Sequence, residues 1–344
     1  MTPRKKWLVR ASGVLAAVVA VGGVWAAFNA SVLRAKYAGQ KLAGATTDEE
    51  RARWADELVT YGTPGFEQLI RALTAGDAPT RAAAGAALDR HLTALPDGDP
   101  RAVTISGSVL DAFPAASPEG KGAILRLVPT VLNRTGSTHS DRCRAIVAEG
   151  LKMPDAEAQL AAVRLALHPE IRLRAEVVPL LTAPEPALRG ASLFAVAAPN
   201  DGEQLLADDE LFKWLHDPDA GVRKVCHDAL ITRDRSDVEI VLGRRLTHAE
   251  PSERLKLLLD LRYDHDVADP EPWLERLSRD PDPAVRAGAV RVMVELSQGG
   301  NQPLPMWVGR VADTDLHPTV RLVAGYYRAR PIGAPAGVVP AGGP

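Results

Sequence analysis

The sequence predicts an all-α fold: a superhelical solenoid of about eight helix pairs behind one membrane-spanning helix. Three observations carry that expectation. A proline-bearing turn recurs along most of the chain. The residues after each turn are apolar at helical spacing. Long β-branched alternations, the mark of strands, are absent.

The turn is clearest within Trp214 to Arg233, W-L-H-D-P-D-A-G-V-R-K-V-C-H-D-A-L-I-T-R. Pro218 cannot continue a helix, because it lacks the N–H and its ring clashes with the preceding turn. Asp217 and Asp219 are suited to cap the amides that open the next helix. Val222, Val225, Cys226, Ala229 and Leu230 then share one helix face, with Lys224, His227 and Asp228 on the other.

The same arrangement returns at Pro118/Lys121, Pro186/Arg189, Pro251/Arg254, Pro283/Arg286 and Pro318/Arg321. Looser versions occur at Pro79/Arg81, Pro154/Glu157 and Pro218/Arg223. The marked positions 81, 121, 157, 189, 223, 254, 286 and 321 stand 31 to 40 residues apart. Apolar or small residues recur three, four and seven places after each, as at Leu257, Leu258 and Leu261. A period in the low thirties with two helices per unit is the signature of a helical repeat array.

On these residues the units resemble HEAT repeats, including the HEAT-like type of phycobilin lyases. The nearest matches are Asp217 to Arg223, Arg279 to Arg286 and His317 to Arg321. The resemblance covers roughly Thr63 to Arg330 and implies a right-handed superhelix. It also implies a ladder in which turn aspartates and following arginines join neighbouring repeats. That role falls on Asp217, Arg223, Asp280, Arg286, Asp315 and Arg321. Glu157 departs from the basic pattern.

Taken in order, residues 1–10 form a short basic tail with Arg4, Lys5, Lys6 and Arg10. No charge follows from Ala11 to Leu33. Those 23 residues would span about 34 Å as a helix, against roughly 30 Å of hydrocarbon. The run is long for a cleaved signal peptide and no clear cleavage site follows Trp25, so a retained anchor is expected. Basic residues before the span set the N-terminus inside and the solenoid on the extracytoplasmic side.

Residues 34–47 read as a linker, and 48–62 as a capping helix over the first repeat. Helix pairs then follow: 66–75 with 80–94, 101–113 with 119–132, 140–152 with 155–167 and 170–182 with 186–198. Next come 203–216 with 219–233, 237–248 with 252–263, 271–279 with 283–297 and 304–313 with 318–329. Segment 101–113 is the poorest helix, because Ser106-Gly107-Ser108 disfavours one. Pro96 to Pro100 reads as an irregular insertion. Residues 331–344 are rich in Pro, Gly and Ala and are expected to be disordered.

Charge is nearly balanced at −2, which argues against general affinity for nucleic acid. The two cysteines, Cys143 and Cys226, sit on apolar faces more than two repeats apart and read as free buried thiols. Asp264-His265-Asp266 lacks a specific metal-ligand spacing. Cys226 and His227 are adjacent on a helix and point apart, which argues against a nucleophile pair. No phosphate loop or nucleophile elbow appears. Arg142-Cys143-Arg144 and Arg244-Arg245 read as solvated helix faces. No catalytic residue, cofactor or metal is therefore assigned.

What remains is a surface. Five places after each mark, a residue points away from the core face. Those positions hold Ala86, Arg126, Ala162, Phe194, Asp228, Leu259, Arg291 and Tyr326. Aromatic and arginine anchors dominate interface energetics. The expected partner-binding residues are Arg126, Phe194, Asp228, Leu259, Arg291 and Tyr326. The expected function is a membrane-anchored, non-enzymatic scaffold that binds a protein partner. The alternative is a HEAT-like enzyme, such as a lyase acting on a bound prosthetic group.

Overall fold

Short polar side chains and prolines decide where the helices begin. Thr47, Asp77, Ser117, Asp155, Asp219 and Ser236 each accept a hydrogen bond from a backbone N–H two or three residues into the following helix. Pro100, Pro118, Pro186, Pro251, Pro283 and Pro318 stand at first helical positions, where a missing N–H costs nothing. The computed structural model describes residues 30–197, 204–263, 267, 269–299 and 302–329. The described residues contain helices and turns and no strand. They fall into two units, Met1–Ala195 and Val196–Pro344.

In the first unit, α1 (Ala30–Ala43) is followed by α2 (Asp48–Thr60), α3 (Thr63–Ala75) and α4 (Ala78–Ala94). Next come α5 (Pro100–Asp111), α6 (Pro118–Thr135), α7 (Ser140–Gly150) and α8 (Ala156–Ala166). A four-residue α9 (Arg174–Val177) runs into a 3₁₀ segment, Val178–Thr182. Then α10 (Pro186–Ala197) crosses the unit boundary.

Consecutive helices pack in pairs, α3 on α4, α5 on α6 and α7 on α8. Even helices also stack on one another, α2 on α4, α4 on α6 and α6 on α8. Each layer buries apolar residues such as Leu69, Leu73, Leu88, Ile124, Leu125 and Val163.

The second unit repeats the plan. It holds α11 (Asp208–Lys213), α12 (Ala220–Thr232), α13 (Asp237–Leu246) and α14 (Pro251–Tyr263). It continues with α15 (Glu271–Leu277), α16 (Pro283–Gly299), α17 (Met306–Thr314) and α18 (Pro318–Arg328). Neighbours pair as α13 with α14, α15 with α16 and α17 with α18, while α14, α16 and α18 stack in sequence. Their core includes Phe212, Trp273, Leu274, Val290 and Trp307. Sequential pairwise packing of this kind is that of an all-α helical repeat.

Several expectations are corrected. Most of residues 34–47 are not a linker: they belong to α1, which buries Ala35, Ala38 and Leu42 against α2 and α3. The helix at 48–60 is therefore the second member of a pair and not the first cover. Segment 100–111 is fully helical despite Ser106-Gly107-Ser108, because Asp99 caps its start and Ala102, Ile105, Val109 and Leu110 bury one face of it, so tertiary packing overrides the weak local propensity.

The 170–182 helix shrinks to α9 and a 3₁₀ turn. Pro179 breaks the run, and Arg172 takes a left-handed φ of 53°. The 203–216 helix begins only at Asp208 and ends as 3₁₀ over Trp214–His216. Among the described residues no helix is long and apolar enough to cross a membrane. The expected span lies, apart from its last four residues, outside the described residues, as do the 1–10 tail and 331–344.

Close approach of helices needs glycine at two places. A Cβ at Gly65 would sit 1.8 Å from the Leu58 carbonyl oxygen, and one at Gly120 would sit 2.5 Å from that of Thr74. Backbone cannot yield as a side-chain tip can. Gly65→Ala is expected to destabilise the protein by about 1–3 kcal/mol. A denaturant melt checks this: an unchanged midpoint would mean that α2 and α3 do not approach as closely as described.

Candidate interaction surface

The turn between paired helices is the most regular feature of the chain. In five successive repeats the arginine at the marked position folds back on the turn before it. Arg189 Nη1 donates to the carbonyls of Ala183 and Pro184, at 3.0 and 2.8 Å. Arg223 does the same to Asp217 and Pro218, at 2.7 and 2.9 Å. Arg254 reaches His248 and Ala249, at 2.6 and 2.8 Å. Arg286 reaches Asp280 and Pro281, at 2.8 and 3.0 Å. Arg321 reaches Asp315 and Leu316, at 2.6 and 3.2 Å. The acceptors always stand six and five residues earlier.

The other edge of the guanidinium joins a repeat to the next. Arg254 Nε and Nη2 donate to the two oxygens of Asp280, at 2.6 and 3.0 Å. Arg286 grips Asp315 in the same way, at 2.7 and 3.0 Å. Each aspartate also orders its own turn, since one carboxylate oxygen accepts the N–H two residues on. Asp217 accepts from the Asp219 N–H likewise.

Of the residues expected to form the ladder, the structure brings together Arg286 with Asp315. Asp280 is also held across repeats, but by Arg254, which the sequence reading marked and did not assign. Arg254 occupies the same place after its turn proline as Arg286 and Arg321 do, and that signal was available. Arg223 and Arg321 bind turn carbonyls. After Arg223, the next turn holds His248 where the later turns hold aspartate.

The buried Arg254–Asp280 pair is fixed by geometry on both sides. Burial makes a broken pair costly, because the surviving charge stays in low dielectric. Beside Asp315, the Arg286 guanidinium holds the carboxyl below its ordinary value of 3.8, with help from the His317 N–H and against burial.

The basic spots serve the same stitching. Arg142 bonds the Gly107 carbonyl and the Asp111 carboxylate, and Arg144 bonds the Ile171 and Glu170 carbonyls. Arg245 pairs with Asp260. Both cysteines are buried free thiols, pushed up by burial to about 11 for Cys143 and about 12 for Cys226. The Cys226 thiol donates to the Leu211 carbonyl, while His227 lies outward near Asp228 and Asp237. Asp264-His265-Asp266 lies outside the described residues. Among the described residues no group of three or more His, Cys, Asp or Glu side chains is placed to hold a metal ion.

The outward positions of the even helices divide by chemistry. Arg126 pairs with Glu157 at 2.5 Å and Asp228 with Lys224 at 3.0 Å. Ala162 is fully buried, a correction to its expected outward place, because α6 packs against α8 on that side. Phe194, Leu259 and Tyr326 are exposed by 59, 56 and 54%.

In the first unit a groove of about 530 Å³ crosses α4, α6 and α8. Small residues such as Ala82, Gly85, Gly122 and Ala123 line it together with the charged Arg81, Asp89, Glu119, Arg126 and Glu157. In the second unit a larger groove, about 860 Å³, runs between α16 and α18. Ala287, Gly288, Gly325, Arg291, Leu322, Tyr326 and Tyr327 line it. Beyond Gly288 the apolar strip continues onto α14, where Leu255, Leu259 and Tyr263 are exposed at successive turns. Arg291 is tied to Glu295 at 3.1 Å, and Glu295 also pairs with Arg262.

No protein-family model matches the chain, and no curated protein matches it. A solved structure described as an engineered protein from a structural genomics consortium is similar at 17% identity. The match covers 85% of this chain and 98% of that one, with a TM-score of 0.29. Fold and turn geometry define the class here: an all-α helical-repeat protein.

Two outcomes test the ladder. Arg254→Ala is expected to cost about 3–5 kcal/mol of unfolding free energy, and Arg254→Met with Asp280→Leu much less. Equal losses in the two variants would show that the charge pair is not the source. The second test concerns pH. Because the folded Asp315 carboxyl titrates below 3.8, its contribution is complete above that value and is lost as pH falls through the folded one. Asp315→Asn should be less stable at neutral pH and lose less than the parent between about pH 4 and pH 2. Parallel stability curves over that range would sink the assignment.

Proposed function

We propose that this chain is a membrane-anchored, non-enzymatic scaffold that holds a protein partner along its even-helix face. The full architecture assigned is a right-handed superhelix of about eight HEAT-like pairs, an armadillo-like array, behind one N-terminal span. The uncharged run from Ala11 to Leu33 supports the anchor. The basic residues before it support an array on the extracytoplasmic side.

The single observation that carries the reading is the open apolar groove on α16 and α18, continued by Leu259 and Tyr263 on α14. Exposed tyrosine and leucine in one strip are the material of interface anchors. The ion pairs around it are already satisfied within the chain, so the strip offers area and shape more than charge. A repeat surface of this kind binds through a preformed face and loses little order on binding.

Affinity capture from solubilised membranes is expected to recover a defined partner. Its yield should fall about tenfold or more for Tyr326→Ala, the loss of one aromatic anchor. Arg291→Glu should reduce it as well. A partner set that both variants retain in full would place binding elsewhere.

A further inference from the structure

We infer that the exposed face of α1 lies against a membrane surface that carries anionic headgroups. The inference rests on the anchor reading for the nearness of a bilayer, and on α1's own face for the contact. Three observations point to this partner.

The first is a two-sided helix. α1 buries Ala35, Ala38 and Leu42 against α2 and α3. Leu33, Lys36, Tyr37, Gln40 and Lys41 are exposed. Their spacing of three, four, seven and eight residues places them on one face. No described helix packs over that face, and the uncharged run of the sequence ends within it, at Leu33.

The second is charge. α1 carries Arg34, Lys36 and Lys41 and no acidic residue. Among the described residues none of the three forms an ion pair. Elsewhere in this unit arginines are answered, Arg51 by Asp48, Arg90 by Asp56 and Arg126 by Glu157. The carboxylates of neighbouring α2 are engaged too, Glu50 by the Thr46 N–H and Glu57 by the Tyr61 hydroxyl. Glu49 points about 140° round α2 from Trp54. Three unanswered cations on one helix complement an anionic surface.

The third is the company the cations keep. Tyr37 and Trp54 stand edge to face at 6.1 Å. Lys41 Nζ lies 5.5 Å from the Tyr37 ring, and the Arg53 guanidinium 4.8 Å from that of Trp54. Tyrosine and tryptophan favour the headgroup layer, where an amphipathic ring meets both apolar chains and water. Lysine and arginine beside them lay their stems on apolar surface and hold their charge at the phosphates. The contact depends on anionic headgroups in the adjoining leaflet and not on which side that leaflet lies.

The test uses the full chain reconstituted into vesicles, with a nitroxide spin label on Gln40→Cys. Native Cys143 and Cys226 are buried, so labelling is confined to the new thiol. With phosphatidylserine mixed into phosphatidylcholine, the label should report headgroup depth. A control label on Asp141→Cys, exposed on α7, should report water. In pure phosphatidylcholine the ratio of seated to free label should fall about a hundredfold, near fivefold for each of three cations. On the anionic vesicles Lys36→Gln with Lys41→Gln should lower it about twenty-five-fold, while the two arginine replacements keep it. A label at position 40 that reads water on anionic vesicles would overturn the proposal. So would equal depth in both lipids, or equal immersion of the two labels.

Carbonate extraction separates this result from the reading it rests on. If the chain stays with the vesicles through the wash, yet the label at position 40 reads water, only the surface contact fails. If carbonate strips the chain, yet the label was seated on anionic vesicles before the wash, the anchor reading fails and the surface contact stands.

Discussion

One arginine bridging two turns is the constraint on which the stacking of α14, α16 and α18 depends. Its guanidinium is a rigid fork with donors on two edges. One edge closes the turn that precedes its own helix. The other, in Arg254 and Arg286, closes on the carboxylate of the turn that follows. A lysine could do one of these but not both, because a point charge has no second planar edge. The geometry couples the start of one even helix to the start of the next, so layers are held in register by side chains as well as by core packing.

Much of this was legible in sequence, and the limits of legibility are physical. Turn prolines and the arginines after them recur in register, because a helix start tolerates proline and a bridging site requires the fork. The core faces were readable from helical spacing. The rungs were partly misassigned, since a pairing across thirty residues leaves no local trace. Arg254 was visible as a mark, yet its partner lies in the next turn.

Helix α1 was missed for a different reason. Its buried residues are only Ala35, Ala38 and Leu42, and the surrounding lysines, glycine and glutamine resemble a linker. The shortened α9 escapes the pattern because a helix pair is expected at every period, while Pro179 stands in the run.

The grooves of the two units show how similar helix stacks yield different surfaces. In both, small residues on the even helices line the groove. In the first unit the walls are ion pairs such as Arg126–Glu157, which answer one another and present a balanced rim. In the second, leucine and tyrosine take the corresponding places, and the remaining charges are bound at the margin. Water is released more readily from the second surface, where apolar area dominates.

The acceptors used by the five folded-back arginines carry a further consequence. They are main-chain oxygens, which every residue supplies. Within this single polypeptide the first acceptor is alanine, aspartate or histidine without altering the contact. Substitution can therefore wander through these bends while the bracing persists. A lineage built this way would keep its rhythm long after its wording had worn away.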